Sequence, residues 1–179
     1  MIETSRLIIR LFEIKDADDY FEFAKDPRVG LNAAWLPYET KKQAIKAIKQ
    51  YKKSKMIFAI ELKENHKVIG KIGLYYDLPV SDFFNLTQKS LGFCISPEYW
   101  GNGYALEASK AFIDYVFKNL NIDLLWCGCF TYNHQSESVI KKLNFNFYNE
   151  IIYDATDIGK KAFANMYYMT KDKYFSEVR

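Results

Sequence analysis

The sequence predicts a mixed α/β or α+β layer fold, a strand-rich sheet covered by helices, and three observations carry that prediction. Residues 56–62 and 68–76 are apolar, strand-like segments around the turn Lys63-Glu64-Asn65-His66, which reads as a hairpin. From Gly103 to about Asn119, Ala105, Ala108, Phe112, Ile113, Val116, Phe117 and Leu120 recur at three- and four-residue steps, the buried stripe of an amphipathic helix. From Ser90 onward the order of elements reads β-α-β-α-β-β. A chain of 179 residues, 49% apolar and 26% charged, is expected to form one domain over residues 1–179. No repeat, linker or low-complexity tract divides it.

The remaining elements follow in chain order. Residues 7–12 (LIIRLF) form a short apolar run with strand character. Asp16 is placed to cap a helix reaching about Lys25, with Tyr20, Phe21, Phe23 and Ala24 supplying apolar surface and Pro27 stopping it. Thr40 to Gln43 reads as a capping box that opens a second helix ending near Lys52. An irregular apolar connection holding Trp35 lies between these two helices. After the hairpin come a loop over residues 77–89 and a strand over 90–95, which Pro97 ends. Residues 124–130 (LLWCGCF) read as a buried strand, 135–143 as a short helix, and 145–153 and 164–169 as two last strands.

Composition excludes several classes of function. No apolar run approaches the ~18 residues that cross a bilayer. Arg10, Glu13 and Lys15 interrupt what a signal peptide would keep apolar, so the expected location is the cytoplasm, with no membrane partner. The net charge of +3 is mild and the lysines are scattered without a basic stripe, so no nucleic-acid partner is expected. Cys94, Cys127 and Cys129 are odd in number; CGC is not a metal-binding CxxC, and His66 and His134 lie far apart. No metal is expected, and Cys127 and Cys129 read as buried reduced thiols on one face of a strand.

The stretch EYWGNGYALEAS, residues 98–109, places Gly101 and Gly103 directly before the long helix. A P-loop would need GxxxxGK[ST], which is absent. A dinucleotide fingerprint would need a third glycine where Leu106 stands, and it would follow the first strand of a βαβ unit. What remains is either a tight turn or an anion cradle, in which first-turn N–H groups face phosphate oxygens and glycine keeps Cβ atoms out of the way.

LGFCISPEYWGNGYALEA resembles motif A of the GNAT (Gcn5-related) N-acetyltransferases, [Q/R]xxGx[G/A], with Trp100 at the Gln/Arg position as in many ribosomal-protein N-acetyltransferase-like members. Further on, NHQSESVIKKLNF is similar to their NxxSxxxxxKxGF through Asn133, Ser136, Lys142, Leu143 and Phe145, and ETSRLIIRLF is similar to that branch's TxRLxLR opening. Asn144 replaces the Gly of KxGF, where a left-handed backbone is expected and Asn is the next-best residue. The resemblance spans essentially the whole chain.

It implies a mostly antiparallel sheet of about seven strands, two central parallel strands splayed apart, and about four flanking helices. It also implies a cytoplasmic acyltransferase using acetyl-CoA, with a small or peptide amine as acceptor, and it allows a homodimer. Backbone groups of Phe93, Cys94 and Ile95 would meet the pantetheine arm. Trp100, Gly101, Asn102, Gly103, Tyr104, Ala105 and Leu106 would cradle the diphosphate. Asn133 and Ser136 would reach the pantetheine and sulfur, as candidate catalytic residues as well as binding ones. An amide near Cys94 or Ile95 would stabilise the oxyanion.

Ser90 and Ile140 stand where other branches place a glutamate base and a tyrosine acid, which keeps a non-catalytic acyl-CoA-binding protein as the alternative. Glu61, Asp77, Asp82 and Glu107 are the carboxylates weighed as base. Glu107 is expected to stabilise the helix start, Glu61 to be solvated, and His134 to lie at the surface. Ser136 has a second reading, as the hydrogen-bonding residue that opens the short helix. The acceptor pocket is expected from residues 32–38, 77–89 and 154–163, with Trp35, Tyr38, Phe83, Phe84, Asp77, Asp82, Asp154 and Asp157 around it. Gly103→Val is expected to remove cofactor affinity and leave the fold largely intact.

Overall fold

A computed structural model describes residues 1–155 and 159–177. Its sheet contains β1 (Ile2–Glu3), β2 (Leu7–Leu11), β3 (Ile57–Leu62), β4 (Val68–Tyr75), β5 (Gln88–Ile95), β6 (Leu124–Phe130), β7 (Asn146–Ala155) and β8 (Lys160–Thr170). The helices are α1 (Ala17–Ala24), α2 (Pro27–Gly30), α3 (Lys41–Ser54), α4 (Tyr104–Asn119), α5 (His134–Lys142) and α6 (Lys171–Glu177). The strands lie in the order β1-β2-β3-β4-β5-β6-β8-β7, antiparallel except for β5 and β6. The mixed, mostly antiparallel architecture matches the sequence expectation. The additions are β1, α2 and α6, each too short to show a period.

Two apolar layers sandwich the sheet. On one face Phe112, Ile113, Val116 and Phe117 of α4 pack with Ile60, Ile72, Leu74 and Leu125, and Ile140 of α5 joins them. On the other, Tyr20 and Phe23 of α1, Ala44 and Ile48 of α3, and Phe12 cover Ile57, Ala59 and Val68. Burying one such side chain stabilises by roughly 1.5–3 kcal/mol, so these stripes fix where each helix lies.

The helix boundaries show which local signals acted. Thr40 caps α3, and its N–H donates to Gln43 Oε1 at 2.9 Å, as the capping box requires. Pro27 does not only end α1. It opens α2, with Asp26 Oδ1 accepting the Arg28 N–H at 2.8 Å, the usual use of proline at a first helical position. Asn144 adopts φ of +64°, the left-handed conformation expected after α5. Asp16 precedes α1 as expected but makes no capping bond.

Asp16 instead belongs to a buried ion cluster. Arg10 on β2 donates Nη1 and Nη2 to the two Asp16 carboxylate oxygens at 2.7 and 2.9 Å, and its Nε to Glu61 Oε2 at 2.5 Å. Glu61 also meets His66 Nδ1 at 2.8 Å, and it is only 6% exposed. The expectation of a solvated Glu61 is therefore corrected. A bulge in β3 at Ile60/Glu61 breaks the alternation on which that expectation rested, and Ile60, Glu61 and Leu62 are all buried. Burial raises the Glu61 pKa, but the His66 and Arg10 hydrogen bonds outweigh it, and the net direction is downward. Glu61 is thereby removed as a candidate base.

No helix among the described residues is long and apolar enough to cross a membrane.

Candidate active site

β5 and β6 pair in parallel only at Gln88↔Leu124, Lys89↔Leu125 and Ser90↔Trp126. Beyond Ser90 they diverge, while β4 stays in register with β5 as far as Ile95. The parity of hydrogen bonding then decides which backbone groups face the gap. Ser96 N–H donates to Ile69 O at 2.7 Å, so Cys94 and Gly92, two and four residues back, also turn toward β4. Leu91, Phe93 and Ile95 turn the other way, into the gap. On β6, the Lys171 to Asp123 and Thr131 to Phe163 bonds assign odd-numbered residues to β8, which leaves Gly128 facing the gap.

This corrects two expectations. The Cys94 backbone is committed to β4 and cannot serve a ligand or an oxyanion. The Ile95 carbonyl accepts Trp100 Nε1–H at 2.7 Å, leaving Phe93 as the member of the trio with both backbone groups open. Gly128 was missed in the sequence. The signal for it was the glycine inside CGC, unusual in a strand; an added Cβ there would meet Met166 Sδ at 2.7 Å, so the glycine also makes room for that cross-strand side chain.

Gly101 and Gly103 both have φ of +78°, and an added Cβ would meet nothing within 4 Å at Gly101 and only Arg6 Nη2, at 3.7 Å, at Gly103. The N–H groups of Gly101, Asn102, Gly103, Tyr104, Ala105 and Leu106 have no protein acceptor among the described residues; the next one, Glu107 N–H, bonds to Gly103 O at 3.0 Å. Six consecutive free amides thus stand at the start of a 16-residue helix, where the macrodipole is positive. They border a cavity of about 500 Å³ that Phe93, Cys94, Ile95, Trp100, Gly101, Gly103, Tyr104, Ala105 and Leu106 help line, with Arg28 and Lys142 on its rim. Asn102 is the predicted cradle residue that does not line it. Its side chain turns back to Tyr99 O and Trp100 O, shaping the loop.

The loop is held from the N-terminus. Arg6 Nη1 donates to Asn102 O at 3.0 Å and its guanidinium lies 4.4 Å from the centre of the Tyr104 ring. Glu107 accepts from Thr4 Oγ1 at 2.6 Å, Ser5 Oγ and Arg6 N at 3.0 Å, and Arg6 Nε at 2.7 Å. Glu107 is thus neither a base nor mainly a dipole partner; it ties the TSRL segment to α4. Desolvation raises its pKa, but the bonds from Thr4, Arg6 and Ser5 outweigh it and bring it down to about 2. A depressed carboxylate contributes stability above its unfolded pKa and loses it as pH falls through the folded value. Glu107→Gln should lower stability by about 2 kcal/mol at pH 7, the scale of charged hydrogen bonds. In urea titrations the gap to the parent should close as pH drops from the ordinary glutamate range toward 2; a pH-independent gap would contradict the assignment.

Asn133 caps α5, its Oδ1 accepting the Ser136 N–H at 3.1 Å. The capping role considered for Ser136 therefore belongs to Asn133, and Ser136 Oγ has no protein partner among the described residues. His134 is exposed, as expected. Asn133, Ser136, Phe93, Cys94, Asn32 and Ala33 line both the 500 Å³ cavity and a second one of about 310 Å³, so they stand where the two meet.

The second cavity is lined by Ala34, Trp35, Lys71, Tyr75, Asp77, Gly128 and Tyr153 among others. Of the expected acceptor-pocket residues, Trp35 and Asp77 are present. Tyr38, Phe83, Phe84, Asp82 and Asp154 do not line it, and Asp157 lies outside the described residues. Phe83 packs on Trp126 and Tyr168 instead, and Tyr38 lies beside Tyr20. Asp77 accepts Tyr153 Oη–H at 2.7 Å. Cys127 and Cys129 are buried free thiols whose pKa values burial pushes up, Cys129 to about 11, so neither is a ready thiolate.

Residues 6–146 match the family model described as "Acetyltransferase (GNAT) domain". The chain is 30% identical over 147 residues to the uncharacterized N-acetyltransferase YnaD of Bacillus subtilis (strain 168), covering 79% of this chain and 80% of the relative. Its fold is similar to a GNAT-family acetyltransferase from Bacillus anthracis, with a TM-score of 0.83, 20% identity, and coverage of 96% and 98% of the two chains. It is also similar to the spermidine N-acetyltransferase from Vibrio cholerae in complex with CoA and spermine, with a TM-score of 0.80, 17% identity, and coverage of 96% and 99%.

Proposed function

Because this chain belongs to the GNAT family of acetyltransferases, we propose that it transfers an acetyl group from acetyl-CoA to a primary amine by direct attack on the thioester. The observation that carries the reading is the run of six unpaired amides from Gly101 to Leu106, beside a gap between strands that leaves the Phe93 backbone open. Those amides suit a diphosphate, which needs many donors and no intruding Cβ. Lys142 adds positive charge to the lining, while Arg28, also on it, is ion-paired with Asp26 at 2.6 Å. The Phe93 and Gly128 backbones suit a pantetheine arm, whose amides can bond to both sides of the gap as a strand would.

Bound acetyl-CoA supplies an acyl thioester whose carbonyl carbon accepts the amine nitrogen, after which the C–S bond breaks and a thiolate leaves. The Phe93 and Ile95 amides, both directed into the gap, are the donors available to the oxyanion. Ser136 Oγ, at the junction of the cavities, donates a hydrogen bond to the sulfur as it departs as thiolate. Asn133 holds Ser136 by capping the helix that carries it, and so acts as a positioning residue. The amine loses its proton to water or to solvent at the cavity mouth, since Glu61 and Glu107 are committed elsewhere.

Thiol release over an amine panel, combined with calorimetry of CoA, tests the reading. Ser136→Ala should lower kcat by about 10- to 100-fold, the scale of one hydrogen bond to a charged group, with CoA affinity nearly unchanged. Equal loss in both would make Ser136 a binding residue. Tight acetyl-CoA binding with no thiol release on any amine would favour the non-catalytic acyl-CoA-binding alternative.

A further inference from the structure

The second cavity contains a charge that the transferase reading does not use. Lys71 lies in the middle of β4, in the sequence VIGKIGLY, and is 7% exposed. It stands across from Cys94, so it enters the sheet beside the strand that opens onto the site. Its Nζ lies 4.1 Å from the centre of the Trp35 ring, 5.3 Å from Tyr51 and 5.8 Å from Tyr20. Among the described residues it makes a single hydrogen bond, from Nζ to Tyr51 Oη at 3.1 Å. No carboxylate among the described residues lies within ion-pairing distance of it.

Isolated buried charges are expensive, and lysine is rarely kept inside without an anion. Here the ring faces substitute in part, since cation–π contacts favour the ammonium. Desolvation disfavours the Lys71 ammonium, and the Trp35, Tyr51 and Tyr20 ring faces and the Tyr51 hydroxyl oppose that penalty. An ammonium has three donors, and Tyr51 takes one. Trp35, Tyr75 and Cys94, which surround Lys71, line the same cavity. Lys71 and Asp77 are the two charged residues among its described lining, one of each sign.

Resting on the proposed transferase activity, we infer that Lys71 is the specificity-determining residue for the acceptor, and that this acceptor is an amine which also carries an anionic group, a carboxylate or a phosphate. An anion brought to Lys71 would complete the ammonium's hydrogen bonding in a site with little water, where charge-assisted bonds are strong. A polyamine would instead bring several positive charges toward an uncompensated one. The substrate class therefore departs from that of the spermidine N-acetyltransferase whose fold this chain shares. The sequence signal was a lysine in an otherwise apolar and glycine strand, at a position whose neighbours are all buried.

The test pairs binding with turnover on the CoA-loaded protein. Calorimetry and thiol release are measured for L-amino acids against their methyl esters, for phosphoethanolamine against ethanolamine, and for spermidine. The expected result is at least about tenfold tighter binding of one anion-bearing class over its partner that lacks the anion, the scale of one charge-assisted contact. The amino-acid and phosphoethanolamine arms identify which anion is meant. Lys71→Met should abolish that preference and leave CoA affinity unchanged, with a melting curve confirming that the variant folds. A parent that favours esters, ethanolamine or spermidine would overturn the inference whether or not the variant folds, and so would a folded Lys71→Met that keeps the preference. Preferential binding of the anionic amines with no thiol release would uphold the role of Lys71 and overturn the transferase reading alone.

Discussion

Arg10→Met should destabilise the protein by about 3–5 kcal/mol at neutral pH, the usual loss when one member of a buried ion cluster is removed. Arg10 joins Asp16 to Glu61, and both carboxylates are at most 6% exposed. Methionine can fill much of the volume but leaves two buried negative charges without their shared cation. The sign of the pH dependence follows from that. In the parent, the depressed Glu61 pKa means stability is present above the ordinary carboxylate range and is lost as pH falls through the folded value. In the variant Glu61 keeps only its His66 contact and takes up a proton more readily, so falling pH relieves the loss. Both effects narrow the difference, which should be largest at pH 7 and much smaller below about pH 4. Urea unfolding at both pH values checks this. A difference that stays constant would mean Arg10 acts through its aliphatic stem alone.

Gly103→Val should reduce CoA affinity by about 100-fold, because it acts on conformation and on access together. The φ of +78° lies where L-residues cost roughly 1–2 kcal/mol, and a β-branched side chain tolerates it worst. The expectation that the fold would be left intact is therefore revised, and some loss of stability should accompany the loss of binding. Gly103→Asn separates the two effects, since asparagine adopts the left-handed region readily while still placing atoms beside the free amides. It should melt closer to the parent and still bind CoA more weakly. A folded valine variant with parental affinity in calorimetry would disprove the cradle.

The sequence made the strands and long helices legible because their apolar spacing is set by burial alone. The hairpin of β3 and β4, the helix α4 and the strand β6 appear within a residue or two of their expected ends. The loop before α4 was legible for a different reason: only glycine accepts its two left-handed positions without strain. What escaped depended on contacts between distant segments. Glu107 read as a helix-start residue, because its partners Thr4, Ser5 and Arg6 lie about a hundred positions away. Glu61 read as solvated, because a bulge is invisible to a rule of alternation. The Cys94 backbone and the Ile95 carbonyl were assigned to a ligand, because ladder parity and the Trp100 indole bond exist only once the strands are paired. Lys71 went unremarked: its apolar and glycine strand was the local signal, but the three rings that enclose it come from distant segments.

The three-rung contact between β5 and β6 has a mechanical consequence. A sheet normally transmits force through every rung of its ladder, but here the left wing, β1 to β5, and the right wing, β6 to β8, are seamed at one end and parted at the other. An extended ligand lying in the parting, as the proposed function requires, would supply the missing rungs itself, so that rigidity of the whole sheet would become a property of the complex.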